Sequence, residues 1–423
     1  MKRFVGILLV LIFVMGAATC RTVQWPSPET GAGPQAHAPT GSETGSAAPE
    51  ADASIGSDID APQTEDETGG DSIYAPDDEP HNEPQYEPDS EPQEEPEDDA
   101  QEADAEPLPV FGFIDAHADT ITRALLPHNN AGLLRNNLHV DFERLSQFGS
   151  PVQVFAIWLA DRYVDNAFER ANYLIDFFER EVERHSDMIE IALTLEDIER
   201  IARDGKIVAI LSIEGAEPLE GKIENVDHFY NRGVRIMSLT WNRENELGFG
   251  QGTGSNEGLK PFGMEVVRRM DELGIIMDVS HINEAGFWDI HRLSTRPYMA
   301  SHSNSFTVRP HNRNLTDDQI MAITERGGII GLALYPLILS PNRNVTMRDI
   351  MAHIDHFINL GAGGNLGLGG DLDGFRDLPA GLANCVLSYK ILADEIAAAF
   401  DEETSQRIMS GNFYDFFVRY FGR

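Results

Sequence analysis

Eight short, β-rich apolar runs recur along the C-terminal three quarters of the chain, at Phe111–Ala116, Val152–Leu159, Ile207–Ile213, Val234–Thr240, Ile275–Val279, Tyr298–Ser301, Ile329–Leu334 and Leu366–Gly370. Several are apolar on both faces, as strands buried in a parallel sheet must be. Between most of them lie amphipathic stretches such as Phe168–Arg184, Phe262–Leu273 and Thr316–Arg326. Eight strands with helical crossovers predict an α/β fold, a (β/α)8 barrel of the TIM type spanning 108–423. An open doubly wound sheet is the competing architecture, but it would place phosphate-binding glycines after its first strand. That turn carries His117 and Asp119 instead.

The remaining N-terminal segment has a different composition. Residues 21–107 hold 25 acidic side chains against a single basic one, Arg21, whereas 108–423 hold 45 and 29. Runs such as Glu83-Pro84-Gln85-Tyr86-Glu87-Pro88 lack the apolar periodicity that could repay the entropy of ordering. The segment reads as a disordered acidic, Pro-rich linker, with a reach on the order of 50 Å. With a formal charge of -38, the chain would be repelled by phosphate backbones, which argues against a nucleic-acid partner.

Residues 1–20 read as an export signal: Lys2-Arg3, an apolar run from Phe4 to Met15, then Gly16-Ala17-Ala18-Thr19-Cys20. The run is shorter than the about 20 residues a membrane span needs. Its ending resembles a bacterial lipoprotein signal, which would make Cys20 the lipidated residue and that lipid the only membrane contact. Thr19 departs from that pattern, so cleavage after Ala18 is the other reading. The chain has only two cysteines, Cys20 and Cys385, too few for a disulfide framework.

Candidate metal ligands cluster at the C-terminal ends of the strand-like runs: His117, Asp119, Glu214, His281, His302 and Asp371. In a barrel those ends converge on one face. If strand geometry persists, His117 and Asp119, two apart, project the same way. Imidazole with carboxylate suits zinc or a similar first-row cation. Glu214 has two oxygens and can bridge a pair of ions about 3.5–4 Å apart, which would clamp a water or hydroxide for amide hydrolysis. Any one of these histidines alone would more readily be a hydrogen-bonded structural residue. Their joint placement argues otherwise, while His128, His139, His185, His228, His291, His311, His353 and His356 read as surface or capping residues. The glycine-rich stretch Gly248-Phe249-Gly250-Gln251-Gly252-Thr253-Gly254 lacks the Lys-Ser/Thr pair of a phosphate loop and reads as a flexible rim loop.

Five segments, Asp115-Ala116-His117-Ala118-Asp119, Ser212-Ile213-Glu214-Gly215, Asp278-Val279-Ser280-His281, Ser301-His302-Ser303 and Gly369-Gly370-Asp371-Leu372-Asp373-Gly374, resemble in order and spacing the membrane (renal-type) dipeptidase family. The resemblance covers roughly residues 110–420. It implies a zinc-dependent dipeptidase on a (β/α)8 barrel with two zinc ions. His117, Asp119 and bridging Glu214 would hold one ion; Glu214, His281 and His302 would hold the other. Asp371 would assist proton transfer near the bridging water and the substrate amine, and Arg313 would pair with the substrate's terminal carboxylate. Asp373 is left out of the catalytic set. Trp241 stands where better-known members carry a substrate-contacting histidine, which puts fine specificity in question more than hydrolysis. The alternatives are a related amidohydrolase acting on an N-acyl amino acid, cyclic amide or lactone, and a non-catalytic surface-binding lipoprotein. A homo-oligomer is compatible with the sequence.

Overall fold

The parallel strands of the computed structural model follow the apolar runs closely: β1 Ile114–Ala118, β2 Val152–Trp158, β3 Ile189–Ile191, β4 Ile207–Glu214, β5 Val234–Ser238, β6 Ile276–Asp278, β7 Met299–Ala300, β8 Ile329–Leu332 and β9 Leu366–Leu368. The structure describes residues 109–126 and 128–422. The expected export signal, Cys20 and the acidic linker therefore lie outside the described residues. Every pairing is parallel, and the ladder runs β1, β2, β4, β5, β6, β7, β8, β9 and back to β1. This closed eight-stranded barrel with surrounding helices is the predicted (β/α)8 fold. Strand β3 lies outside the closure: it pairs with β4 at Ile207–Ala209, below the Leu211–Ile213 stretch that pairs with β5.

Alternation along the strands divides the core in two. Val152 and Val154, Val208 and Ile210, Ile236, Ile276, Met299 and Ile329 pack together inside the barrel. Phe155, Ile157, Leu211, Ile213, Met277 and Leu332 face the helices instead. The helix Ala167–Arg184 buries Ala171, Leu174, Ile175, Phe178 and Val182, a stripe at helical spacing, and Phe178 meets Phe155 at a ring separation of 4.8 Å. At the N-terminal end of the barrel the final helix, Asn412–Phe421, inserts Phe413, Phe416, Phe417 and Tyr420 into the inner cluster. Gly367 makes room for this plug, because a Cβ there would fall 2.2 Å from Phe413 Cδ2. The floor of the barrel is thus closed by hydrocarbon. Among the described residues no helix is long and apolar enough to cross a membrane.

Candidate metal centre

The alternation inside β4 carries Glu214 to its place. Val208 and Ile210 point into the barrel, so Ser212 and Glu214 point inward too, with Glu214 at the C-terminal mouth. Strand β1 reaches the same mouth by an irregularity. Ile114 and Ala116 belong to the inner cluster and Ala118 to the outer one, and the pairing with β2 shifts register between Asp115 and Ala118. A one-residue shift exchanges the faces of a strand, so His117 turns inward. The strand geometry expected to persist through Asp119 stops at Ala118. Asp119 sits at φ -84°, ψ 16° before the helix Thr120–Ala124, yet its Oδ2 still comes within 3.8 Å of His117 Nε2.

All six predicted residues meet at this mouth. Glu214 Oε2 lies 3.5 Å from His117 Nε2. Its other oxygen, Oε1, lies 2.9 Å from His281 Nε2 and 3.6 Å from His302 Nε2. Each carboxylate oxygen therefore addresses a separate set of donors. The donor atoms of His117, Asp119 and Asp371 also fall within 4.8 Å of one another. Ligands at zinc bond lengths in a tetrahedron would be about 3.3 Å apart, inside the observed spread.

Hydrogen bonds fix the protonation of the two histidines on the Oε1 side. His281 Nδ1 lies 2.8 Å from Asn242 Oδ1, an acceptor only, so Nδ1 carries the proton. Ser301 Oγ donates to Asp278 Oδ2 at 2.6 Å and accepts from His302 Nδ1 at 2.8 Å. Both Nε2 atoms thus present lone pairs, and they face each other at 2.9 Å. Burial, followed by the nearby Arg313 charge, lowers His281 to about 4. Burial, then His117 and Arg313, keeps His302 well below the ordinary histidine value. Three acceptors crowded in this way repel one another, which a cation among them would relieve. On the other side, His117 Nε2 and Asp119 Oδ1 are buried with no hydrogen-bond partner. The donor chemistry fits first-row metal ions in both positions.

The carboxylates show the same imbalance. Burial opposes the Glu214 charge, yet His117 and His281 hold its carboxyl well below the usual range. Burial penalises a charged His117, but Glu214 and Asp119 outweigh it and raise its pKa well above normal. Burial, with Asp119 and Glu214 repelling a further negative charge, pushes Asp371 well up against the pull of His117 and Arg313. Three non-glycine residues here adopt left-handed backbone: His281 at φ 71°, Asp371 at 55° and Asp373 at 68°. Gly374 keeps the carboxylates accessible to one another, since a Cβ would come 2.2 Å from Asp371 Oδ1 and 2.7 Å from Asp119 Oδ2.

A cleft of about 470 Å³ opens over this group, lined by Asp119, Glu214, His281 and Asp371 together with Arg313 and Trp241. Arg313 Nη2 donates to His302 O at 3.2 Å, which fixes the guanidinium beside the candidate metal ligands. Asp373 takes a structural part: its carboxylate accepts from Thr120 Oγ1 at 2.6 Å and His139 N at 2.6 Å. His139 is buried, not on the surface, with Nδ1 accepting from Asp373 N. His353 is likewise fully buried, accepting from Ser305 N and donating to Leu339 O, so it ties two mouth loops together. The rim loop is anchored: Gln251 donates from its backbone to His281 O and from its side chain to Asn242 Oδ1. Sequence reasoning missed Asn242, Asp278 and Trp158, which touch the site only through tertiary pairing.

The sequence profile of membrane dipeptidases, peptidase family M19, matches residues 108–417. The chain belongs to this family. A solved metallopeptidase of family M19, the dipeptidase AC, is 26% identical with a TM-score of 0.69, covering 74% of this chain and all of that one. A metallopeptidase from Rhodobacter sphaeroides, liganded with a phosphinate mimic of the dipeptide L-Ala-D-Ala, is 25% identical with a TM-score of 0.68; the match covers 74% of this chain and 99% of that one. Dipeptidase tcpJ of Claviceps purpurea (strain 20.1) is 28% identical over 287 residues, 65% of this chain and 67% of its own length. In this M19 chain the residues that the resemblance implied as ligands, His117, Asp119, Glu214, His281 and His302, stand together at the mouth of the barrel.

Proposed function

We propose that the chain is an exported dipeptidase working with two zinc ions, one held by His117, Asp119 and Glu214, the other by Glu214, His281 and His302. The observation that carries this reading is the division of Glu214: Oε2 toward His117 and Oε1 toward His281 and His302. When bound, such an ion pair acidifies water to give a nucleophile at neutral pH and polarises the scissile carbonyl. The chain's own residues supply the rest. Arg313 can hold the terminal carboxylate of a short peptide with two parallel hydrogen bonds, which selects dipeptides over long chains. Asp371, which lines the cleft beside His117 and Asp119, would take a proton from the attacking water and pass it to the leaving amine.

The test is a panel of dipeptides, beside N-acyl amino acids and lactones, assayed with zinc and after chelation. Chelator-sensitive hydrolysis confined to dipeptides is expected; turnover of only the other classes would favour the related amidohydrolase. Arg313→Ala should raise KM by about 10- to 100-fold while leaving metal content unchanged, because it removes a charged anchor and no ligand. Export and lipidation rest on residues 1–20, with the acidic segment as spacer. Cys20→Ala should shift the protein out of the membrane fraction, and equal retention would remove the lipid anchor.

A further inference from the structure

We propose that Trp158 and Trp241 form an apolar side-chain subsite, so that the enzyme prefers dipeptides bearing an aromatic or large aliphatic side chain. The proposal rests on the dipeptidase reading and adds a substrate class to it. Trp158 ends β2 directly beside Glu214 in the β2–β4 ladder, and partners in a parallel ladder share a face. Its ring therefore enters the mouth at the level of the bridging carboxylate. Trp241 follows β5 and packs against Trp158 edge to face, with ring centroids 5.2 Å apart. It also lies 6.0 Å from the His281 ring at an interplanar angle of 35°. Each indole is held by a neighbour, so the wall they form is preorganised.

The cleft is divided in character around the barrel. Arg313, Tyr335 and Asp371 follow β7, β8 and β9, whereas Trp158, Trp241 and Leu126 follow β2, β5 and β1. The two charged ends of a dipeptide are drawn to the first sector. Facing it, the two indoles give the second sector an apolar wall beside the polar Arg123, Asn242 and Gln251: the Trp158 Nε1 atom is buried without a partner, so the accessible part of that ring is carbon. Thr122 Oγ1 donates to Trp158 O at 2.8 Å and fixes the backbone beneath the ring. The Trp241 indole gives that part of the site a stacking surface.

Burying a Leu or Phe side chain on such a wall should raise kcat/KM over Ala-Ala by about tenfold or more. The experiment uses the zinc-loaded full chain with Ala-Ala, Leu-Ala, Ala-Leu, Phe-Ala, Ala-Phe, Asp-Ala and Ala-Asp. At least one position should show the large-apolar preference, and the acidic side chain there should fall below Ala. Trp241→Ala should collapse the preference toward unity, and Trp241→Phe should keep most of it. Independently of turnover, a Phe-bearing phosphinate dipeptide mimic should bind about tenfold tighter than its Ala counterpart and perturb tryptophan emission. Equal efficiency toward Ala-Ala and all large apolar dipeptides would overturn the subsite while leaving the dipeptidase intact. Retention of the preference in the Trp158→Ala, Trp241→Ala double variant would do the same. Failure to hydrolyse any dipeptide would overturn both readings.

Discussion

At the N-terminal end of the barrel, Phe413, Phe416, Phe417 and Tyr420 fill the space below the inner strand residues, and Gly367 yields its side-chain volume to them. At the C-terminal end, His281, Asp371 and Asp373 hold left-handed backbone, and buried polar atoms of His117 and Asp119 lack partners. One end is packed with hydrocarbon; the other carries strained backbone and unpartnered polar atoms at the residues that face the cleft. Such departures cost on the order of 1–3 kcal/mol each and persist only where surrounding structure enforces them. The floor therefore supplies stability on which the mouth draws, and substitutions at the two ends should separate cleanly.

The largest effect belongs to Glu214→Gln. It should reduce kcat/KM by about a thousandfold or more and deplete metal at both positions. Two tightly bound metals with full turnover in that variant would disprove the bridging role. Phe413→Ala should do the reverse: a loss of about 3–5 kcal/mol in denaturant unfolding, with metal stoichiometry unchanged in the folded protein.

Acid should loosen the mouth through His353. Burial holds this ring at about 4 in the folded protein, against 6.5 for an ordinary histidine. The unfolded chain therefore binds the proton first, and stability falls as pH drops from about 6.5, levelling off below about 4. The full loss is on the order of 3 kcal/mol. Urea unfolding of wild type and His353→Gln across that window should show the wild-type slope flattened in the variant. The smallest effect is expected from Asn242→Ala, which frees the His281 tautomer. Competitive chelator titration should find one zinc bound about 10- to 100-fold more weakly and the other little changed.

The barrel was legible because parallel strands buried on both faces leave continuous apolar runs, and all eight runs became barrel strands. Strand β3 left no such trace: Ile189-Glu190-Ile191 is short, polar at its centre and outside the closure. The candidate ligands were legible by type and position, since the fold gathers strand ends at one mouth. How His117 turns inward was not, because a register shift between Asp115 and Ala118 is a property of the pair of strands and not of either alone. The burial of His139 and His353, for which the sequence suggests surface or capping roles, is hidden for a related reason. Each sits in a loop or helix whose partner, Asp373 or Ser305 and Leu339, comes from a distant turn.

Zinc titration of the metal-free full chain, read by calorimetry and by recovery of dipeptide hydrolysis, tests the shared-carboxylate centre most directly. The geometry predicts two equivalents bound per chain, activity restored only as both are taken up, and neither equivalent bound tightly in Glu214→Gln. A metal-free protein that hydrolyses dipeptides at the full rate, or one that binds no zinc at the mouth, would contradict it.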